Sequence, residues 1–178
     1  GEILVGRVDE HAAATIPTAT RVAWPYGKCL TGVGLANPQL LLPSELAVIA
    51  SSRVEAVKVL TLDNPDQNNQ LVHDLKSVRQ DLFIAARLFI QLDLDSKTRF
   101  PPQSFLDYVH DKARALYESG VRYFEVHNEP NIEQEGLGWN WADGAGFGTW
   151  LLQVLSLLRS SLPEAKFGFP GLSPQPNV

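Results

Sequence analysis

Short apolar runs alternate with amphipathic segments along most of this chain, and that alternation limits the possible folds more than any other feature. The predicted strands are short apolar runs at 30–37, 54–62, 82–90, 121–127 and 165–171, and the first of them, which contains glycines, is typical of a buried strand. The predicted helices show helical spacing or helix-start residues: 43–52, 67–80, 101–120 and 149–163. Such alternation predicts an α/β fold with a parallel sheet built from right-handed βαβ units. Residues 1–29 are predicted to be an extended segment or linker, with strand-like runs at 2–9 and 20–27, and 30–178 a single domain.

Two sheet architectures fit this alternation: a doubly wound nucleotide-binding sheet and a (β/α) barrel. A dinucleotide site requires a Gly-x-Gly-x-x-Gly turn between a strand and a helix. The nearest match, GVGLAN at 32–37, lacks the third glycine and the helix start. We therefore expect no nucleotide cofactor, and the barrel architecture is favoured.

Composition excludes several classes of function. The net charge is −5 with mixed signs, which does not favour nucleic acid or an anionic membrane as partner. No apolar run approaches the about 18 residues that span a bilayer. The single cysteine, Cys29, rules out an internal disulfide, and no Cys and His cluster predicts a metal site.

The sequence has no methionine, so it is expected to be processed, trimmed or part of a longer chain. A secreted or cell-envelope location is favoured over the cytoplasm.

The run VRYFEVHNEPN, residues 121–131, places a carboxylate where a strand must stop. Pro130 has no N–H to donate to a sheet ladder, so pairing ends there. In a (β/α)8 barrel the carboxyl ends of the strands form the active face. The pattern alone leaves two interpretations of Glu129, a reactive carboxylate or a solvated turn residue.

This run resembles the fourth-strand motif of clan A retaining glycoside hydrolases, TIM-barrel enzymes in which that strand ends in Asn-Glu-Pro. The resemblance covers residues from about 100 to 174, through the Trp-rich loop, the following helix and AKFGFPGLSP at 165–174. It implies a partial TIM barrel of about five strands that acts on a carbohydrate. It also implies that Glu129 is the general acid/base and that Asn128 hydrogen-bonds the sugar hydroxyl next to the anomeric carbon.

Residues that alternate with Glu129 along the strand are further candidates. Tyr123, Glu125 and His127 share its parity, so part of this set should face the barrel interior. A buried Glu125 needs a partner, which Lys58 or Arg87 on neighbouring strands could supply. His127 either lines the sugar site or packs in the core.

Two tryptophans, Trp139 and Trp141, lie in the loop after the predicted fourth strand. Sugar rings stack on aromatic faces, so both are candidate substrate platforms. Anchoring of the loop is the alternative role.

Polar residues at the other strand ends are weaker candidates. Asn37 follows the first predicted strand and could reach the cavity, although Asn before Pro is also common in turns. Asp63 and Asp93 follow the second and third strands with the same ambiguity. Glu164 precedes the fifth strand and is therefore expected at the opposite face.

A retaining mechanism needs a second carboxylate about 5 Å from the first. In clan A that nucleophile ends strand seven, whereas the predicted strands here stop at five. The chain is thus expected to be the N-terminal portion of a hydrolase, a barrel completed by another copy, or a remnant that binds glycans without cleaving them. Open strands at both sheet edges predict self-association, unless residues 2–9 or 20–27 cover an edge.

Overall fold

The computed structural model of the chain describes residues 27–92 and 95–174. Strands and helices alternate strictly in this part of the chain. The elements are β1 (Gly32–Gly34), α1 (Pro43–Ser51), β2 (Ala56–Leu60), α2 (Pro65–Val78), β3 (Phe83–Leu88), α3 (Pro102–Glu118), β4 (Tyr123–Val126), α4 (Gly144–Ser161) and β5 (Lys166–Gly168). A 3₁₀ turn, Glu133–Glu135, lies between β4 and α4. The predicted strand at 2–9, and nearly all of that at 20–27, lie outside the described residues.

The five strands form one sheet in the order β1-β2-β3-β4-β5, and every neighbouring pair is parallel. The predicted α/β class with a parallel sheet is therefore confirmed. A doubly wound nucleotide-binding sheet reverses its strand order at a switch point, and this sheet steps in one direction only. That order is compatible with a partial barrel, although β1 and β5 do not pair with each other in the described part of the chain.

The two faces of the sheet differ sharply in burial. Right-handed crossovers that all step the same way place the helices on one face, and successive helices contact each other in sequence order. The strand residues under these helices are buried and apolar: Val57, Val59, Ile84, Ala86, Leu88, Phe124 and Val126. The alternating residues on the other face, called here the inner face, are only partly buried.

Helix starts follow local chemistry. Asn64 caps α2 by accepting a hydrogen bond from the Asp66 N–H (2.8 Å), with Pro65 in the first helical position. Asp143 caps α4 in the same way, accepting from the Gly146 N–H (2.8 Å). The helix predicted at 149–163 therefore begins five residues earlier, at Gly144.

One expectation about burial is wrong. The apolar run at 30–37 was predicted to be a buried strand, but β1 is short and exposed, and Val33 is 43% exposed. Two of its three residues are glycines, which contribute no side chain to bury.

No helix of the described part of the chain is long and apolar enough to cross a membrane. Within residues 27–92 and 95–174, no group of three or more His, Cys, Asp and Glu side chains is arranged to hold a metal ion.

Candidate functional site

The site is built around an abrupt turn at the carboxyl end of β4. The ladder with β3 ends where the His127 N–H donates to the Leu88 carbonyl (2.8 Å). Beyond that bond His127 has φ +72° and Glu129 has φ +30°, both in the left-handed region that non-glycine residues rarely occupy. Strained backbone of this kind persists only where surrounding contacts impose it, and it is concentrated at functional sites.

The contacts that impose this turn come from the loop 132–141. The Ile132 N–H donates to the Glu129 carbonyl (3.2 Å), and the Trp141 indole N–H donates to the Pro130 carbonyl (2.9 Å). The ring Nε2 of His127 lies 2.9 Å from the carbonyl oxygen of Glu135. The loop therefore folds back over the strand end and fixes its backbone.

A second connection reaches the segment after β5. Asn131 donates through Nδ2 to the Ser173 carbonyl (2.8 Å) and accepts through Oδ1 from the Ser173 N–H (2.9 Å). This reciprocal pair of hydrogen bonds joins the segments that follow β4 and β5, both at the carboxyl ends of the strands.

His127 lies in an aromatic cluster and is only 1% exposed. The rings around it come from the end of β3, from α3, from the loop and from α4: Phe89, Phe105, Trp141, Phe147 and Trp150. Burial lowers the pKa of His127 from 6.5 to about 4, and the charge of Arg87 acts in the same direction. The ring is therefore neutral at pH 7, with the proton on Nε2, since only a donor can face a carbonyl.

Of the two roles left open for His127, this geometry supports core packing. Its parity with Glu125 predicts the inner face, but the positive φ turns the ring to the helix side. Tyr123 and Glu125 do keep to the inner face, so the expectation that part of this set faces the interior is confirmed.

Asn128 and Glu135 form a direct contact beside the aromatic cluster. The Asn128 side-chain Nδ2 donates to Oε1 of Glu135 (2.8 Å). Oε2 of Glu135 is buried and has no hydrogen-bond partner among the described residues. Burial raises the pKa of Glu135, and the nearby charge of Glu129 raises it further, against the lowering effect of the Asn128 hydrogen bond.

Glu129 itself is half-buried. Within the described part of the chain no group hydrogen-bonds its carboxylate, although its backbone is held on both sides. The Glu129 carboxylate is therefore positioned by its backbone, and its oxygens can accept hydrogen bonds from a ligand.

The inner face carries an ion-pair network at mid-strand. Glu125 accepts hydrogen bonds from Lys58 (2.9 Å) and from Arg87 (2.9 Å and 3.2 Å), so the predicted pairing is confirmed with both cations at once. The Gly171 N–H adds a longer contact (3.3 Å). Burial acts to raise the pKa of Glu125, but the Lys58 hydrogen bond and the two positive charges outweigh it and lower the pKa.

Both loop tryptophans anchor backbone through their indole N–H groups. Trp141 is 4% exposed and packs in the aromatic cluster, so its ring is not open to a sugar. Trp139 donates to the Glu133 carbonyl (2.8 Å) and remains partly exposed. Trp139 is thus the tryptophan that keeps surface for a ligand.

The other predicted residues lie away from the turn. Asn37 is exposed, and its carbonyl accepts from the Gln39 N–H (3.1 Å), as expected of a turn. Asp63 accepts hydrogen bonds from Lys112 (2.8 Å) and Tyr108 (3.1 Å), and the Lys112 contact lowers its pKa. Asp93 falls outside the described residues.

Glu164 lies at the amino ends of the strands, opposite the candidate site, as predicted. Its carboxylate accepts from Arg122, which stands just before β4 (3.2 Å). It takes no part in the strand-end site.

Glu135 is the residue that the sequence did not reveal. It lies in a loop with another glutamate two positions before it, and sequence spacing does not indicate which of the two is buried. In the structure Glu133 is exposed and pairs with Lys97 (2.7 Å), whereas Glu135 is buried against Asn128.

Fold and site together define an α/β protein with a polar site at the carboxyl end of its fourth parallel strand. No protein-family model matches the chain, and neither a curated protein nor a solved structure matches it. The resemblance of residues 100–174 to clan A glycoside hydrolases therefore stays a prediction from the sequence.

Proposed function

We propose that this chain supplies the acid/base half of a retaining glycoside hydrolase site, with Glu129 as the general acid/base. The observation that supports this most is the half-buried Glu129 carboxylate, which a strained turn holds at the end of β4 and which no group in the described part of the chain hydrogen-bonds. Glycosidic cleavage needs such a carboxyl group beside the leaving oxygen, where it donates a proton and later accepts one from water.

The remaining parts of the site fit the same proposal. Asn128 is adjacent to Glu129 and is fixed by Glu135, which suits a residue that contacts the neighbouring sugar hydroxyl. Trp139 offers a partly exposed aromatic surface on the same loop. The nucleophile is proposed to come from chain that follows residue 178, so the site is completed in the longer protein.

The test compares wild type with Glu129→Gln in the full-length protein. Aryl glycosides with good and poor leaving groups are assayed side by side. Loss of the general acid should lower kcat/KM about 100-fold or more for poor leaving groups and much less for good ones, while kcat for the good leaving group falls because the second step loses its base. Added azide should restore turnover of the good leaving group, since azide attacks a glycosyl intermediate without needing a base.

Glu133→Gln is the matched control, because it makes the same change on the adjoining loop 132–141, at an exposed surface pair. It should leave all rates near wild type. Equal rates for Glu129→Gln and wild type on poor leaving groups would refute the role of Glu129.

A non-catalytic glycan-binding domain is the second candidate, and the partly exposed Trp139 favours it even without a nucleophile. Titration of the 178-residue chain with soluble oligosaccharides, followed by tryptophan fluorescence, tests this. Binding that is lost in Trp139→Ala, together with a full-length protein that turns over no glycoside, would support binding over hydrolysis.

The sheet edges carry a further part of the proposal. β1 and β5 are edge strands within the described residues, and the inner face is only partly buried. We propose that further chain, or a second copy, pairs with these edges. Sedimentation of the 178-residue chain distinguishes the two, since only the second predicts an oligomer.

A further inference from the structure

Glu135 is a buried carboxyl group that the proposed chemistry does not use. It is 9% exposed, and it belongs to a turn that also holds the strand end through its own carbonyl. Carboxyl groups are rarely buried without a role, since desolvation of the charged form is expensive.

Its contact with Asn128 selects one orientation of an amide that could face either way. A side-chain amide has an oxygen that accepts and a nitrogen that donates. A carboxylate oxygen only accepts, so the Asn128 nitrogen must face Oε1 of Glu135, as the 2.8 Å contact shows. The Asn128 carbonyl oxygen is then directed away from Glu135.

We propose that Glu135 is a positioning residue that holds the Asn128 amide in the orientation needed to accept a hydrogen bond from the sugar hydroxyl next to the reacting carbon. This inference rests on the proposed function and deepens it. Glu135 does not touch the substrate; it acts through Asn128. Among the described residues, the Asn128 amide is the one group that hydrogen-bonds this carboxyl, so the contact constrains both side chains.

Glu135→Gln keeps the shape of the side chain but no longer fixes the orientation of the Asn128 amide. An amide at that position can present either its oxygen or its nitrogen, so Asn128 is free to rotate. Loss of one correctly oriented hydrogen bond corresponds to roughly a tenfold effect on rate.

The experiment measures kcat/KM in the full-length protein with two aryl glycosides that differ only in the 2-hydroxyl group. Glu135→Gln should lower kcat/KM about tenfold for the 2-hydroxy substrate and less than about twofold for the 2-deoxy substrate. In an Asn128→Ala background the same change should have no further effect, because the partner through which it acts is gone. Glu133→Gln is the control and should leave the substrate ratio unchanged.

A merely structural role for Glu135 gives a different result. It would reduce turnover of both substrates equally, and its effect would add to that of Asn128→Ala. Either outcome overturns the inference.

Asn128→Asp tests the same contact without altering Glu135, in case Glu135→Gln does not fold. The change opposes two carboxyl oxygens, and the other titratable or charged groups near this contact are Glu129, His127 and Arg87. Compared with wild type at the same pH, the melting temperature of Asn128→Asp should be lower by roughly 3 °C or more at pH 8, and this difference should shrink below pH 5, where one carboxyl holds a proton.

Asn69→Asp, on the exposed surface of α2, is the control for this measurement and should show no such recovery. An Asn128→Asp melting curve that follows wild type at every pH would overturn the inference. If instead Glu129→Gln keeps full activity, the proposed function fails, while the pH dependence of Asn128→Asp still reports on the contact.

Discussion

The buried imidazole of His127 predicts that the chain loses stability as the pH falls from 7 to 4. The pKa of an exposed histidine is 6.5, and burial lowers that of His127 to about 4. Between these values the unfolded chain binds a proton that the folded chain does not, so acid favours unfolding. The difference corresponds to a loss of about 2 kcal/mol at pH 5 and about 3 kcal/mol at pH 4.

The assay is urea unfolding at pH 7, 6 and 5, with wild type beside His127→Gln. Glutamine keeps an N–H that can donate to the Glu135 carbonyl but does not titrate. The free energy of unfolding of wild type should therefore fall by about 2 kcal/mol more than that of the variant between pH 7 and pH 5. The raised pKa of Glu135 works in the opposite direction in both proteins and cancels in the difference.

His73→Gln is the control, since its side chain is 77% exposed. It should follow the wild-type pH dependence. The reasoning fails if His127→Gln and wild type lose stability in parallel, or if a histidine proton spectrum of the folded chain shows His127 titrating near its ordinary value.

Two further predictions concern stability. Gly136→Ala should lower the free energy of unfolding by about 2 kcal/mol or more, because φ is +115° and a new Cβ would lie 2.9 Å from the Trp141 ring. Gly138→Ala should lower it by only about 1 kcal/mol, since φ is +84° and a new Cβ there has nothing within 4 Å. Urea unfolding measures both values. A similar loss in both glycine variants would refute the predicted clash. Asn68→Ala should lose roughly 2 to 3 kcal/mol, since this fully buried side chain makes three backbone hydrogen bonds around the end of β2. Asn69→Ala removes only an exposed hydrogen bond from the Ser119 hydroxyl (2.7 Å) and should lose about 0.5 kcal/mol. Equal melting temperatures for the Asn68 and Asn69 variants would contradict this.

Periodicity predicted the strand and helix order because these elements bury one face each. The helical stripe of α3, from Phe105 to Leu116, is buried as its spacing requires. The start of α4 was missed because Gly144, Gly146 and Gly148 are typical of a loop. Burial of Phe147, together with the Asp143 cap, outweighs that low propensity.

The candidate site could be predicted only as far as strand geometry extends. Parity along regular strands correctly paired Glu125 with Lys58 and Arg87. Beyond Val126 the backbone leaves the strand conformation, and parity no longer indicates which face a side chain takes. The contact of Glu135 with Asn128 depends on that departure and so has no signature in the sequence.

The position of Glu129 therefore depends on the loop more than on the strand. In a strand that continued past Val126, Glu129 would share the inner face with Glu125 and could join its cations. The turn at His127 prevents this and leaves the Glu129 carboxylate without a hydrogen-bond partner among residues 27–92 and 95–174. Since the loop holds this turn through Trp141 and the Glu135 carbonyl, a disturbance such as the Gly136→Ala clash should move the carboxylate as well as lower stability. Loop packing and the position of the Glu129 carboxylate are thus coupled by the same few hydrogen bonds.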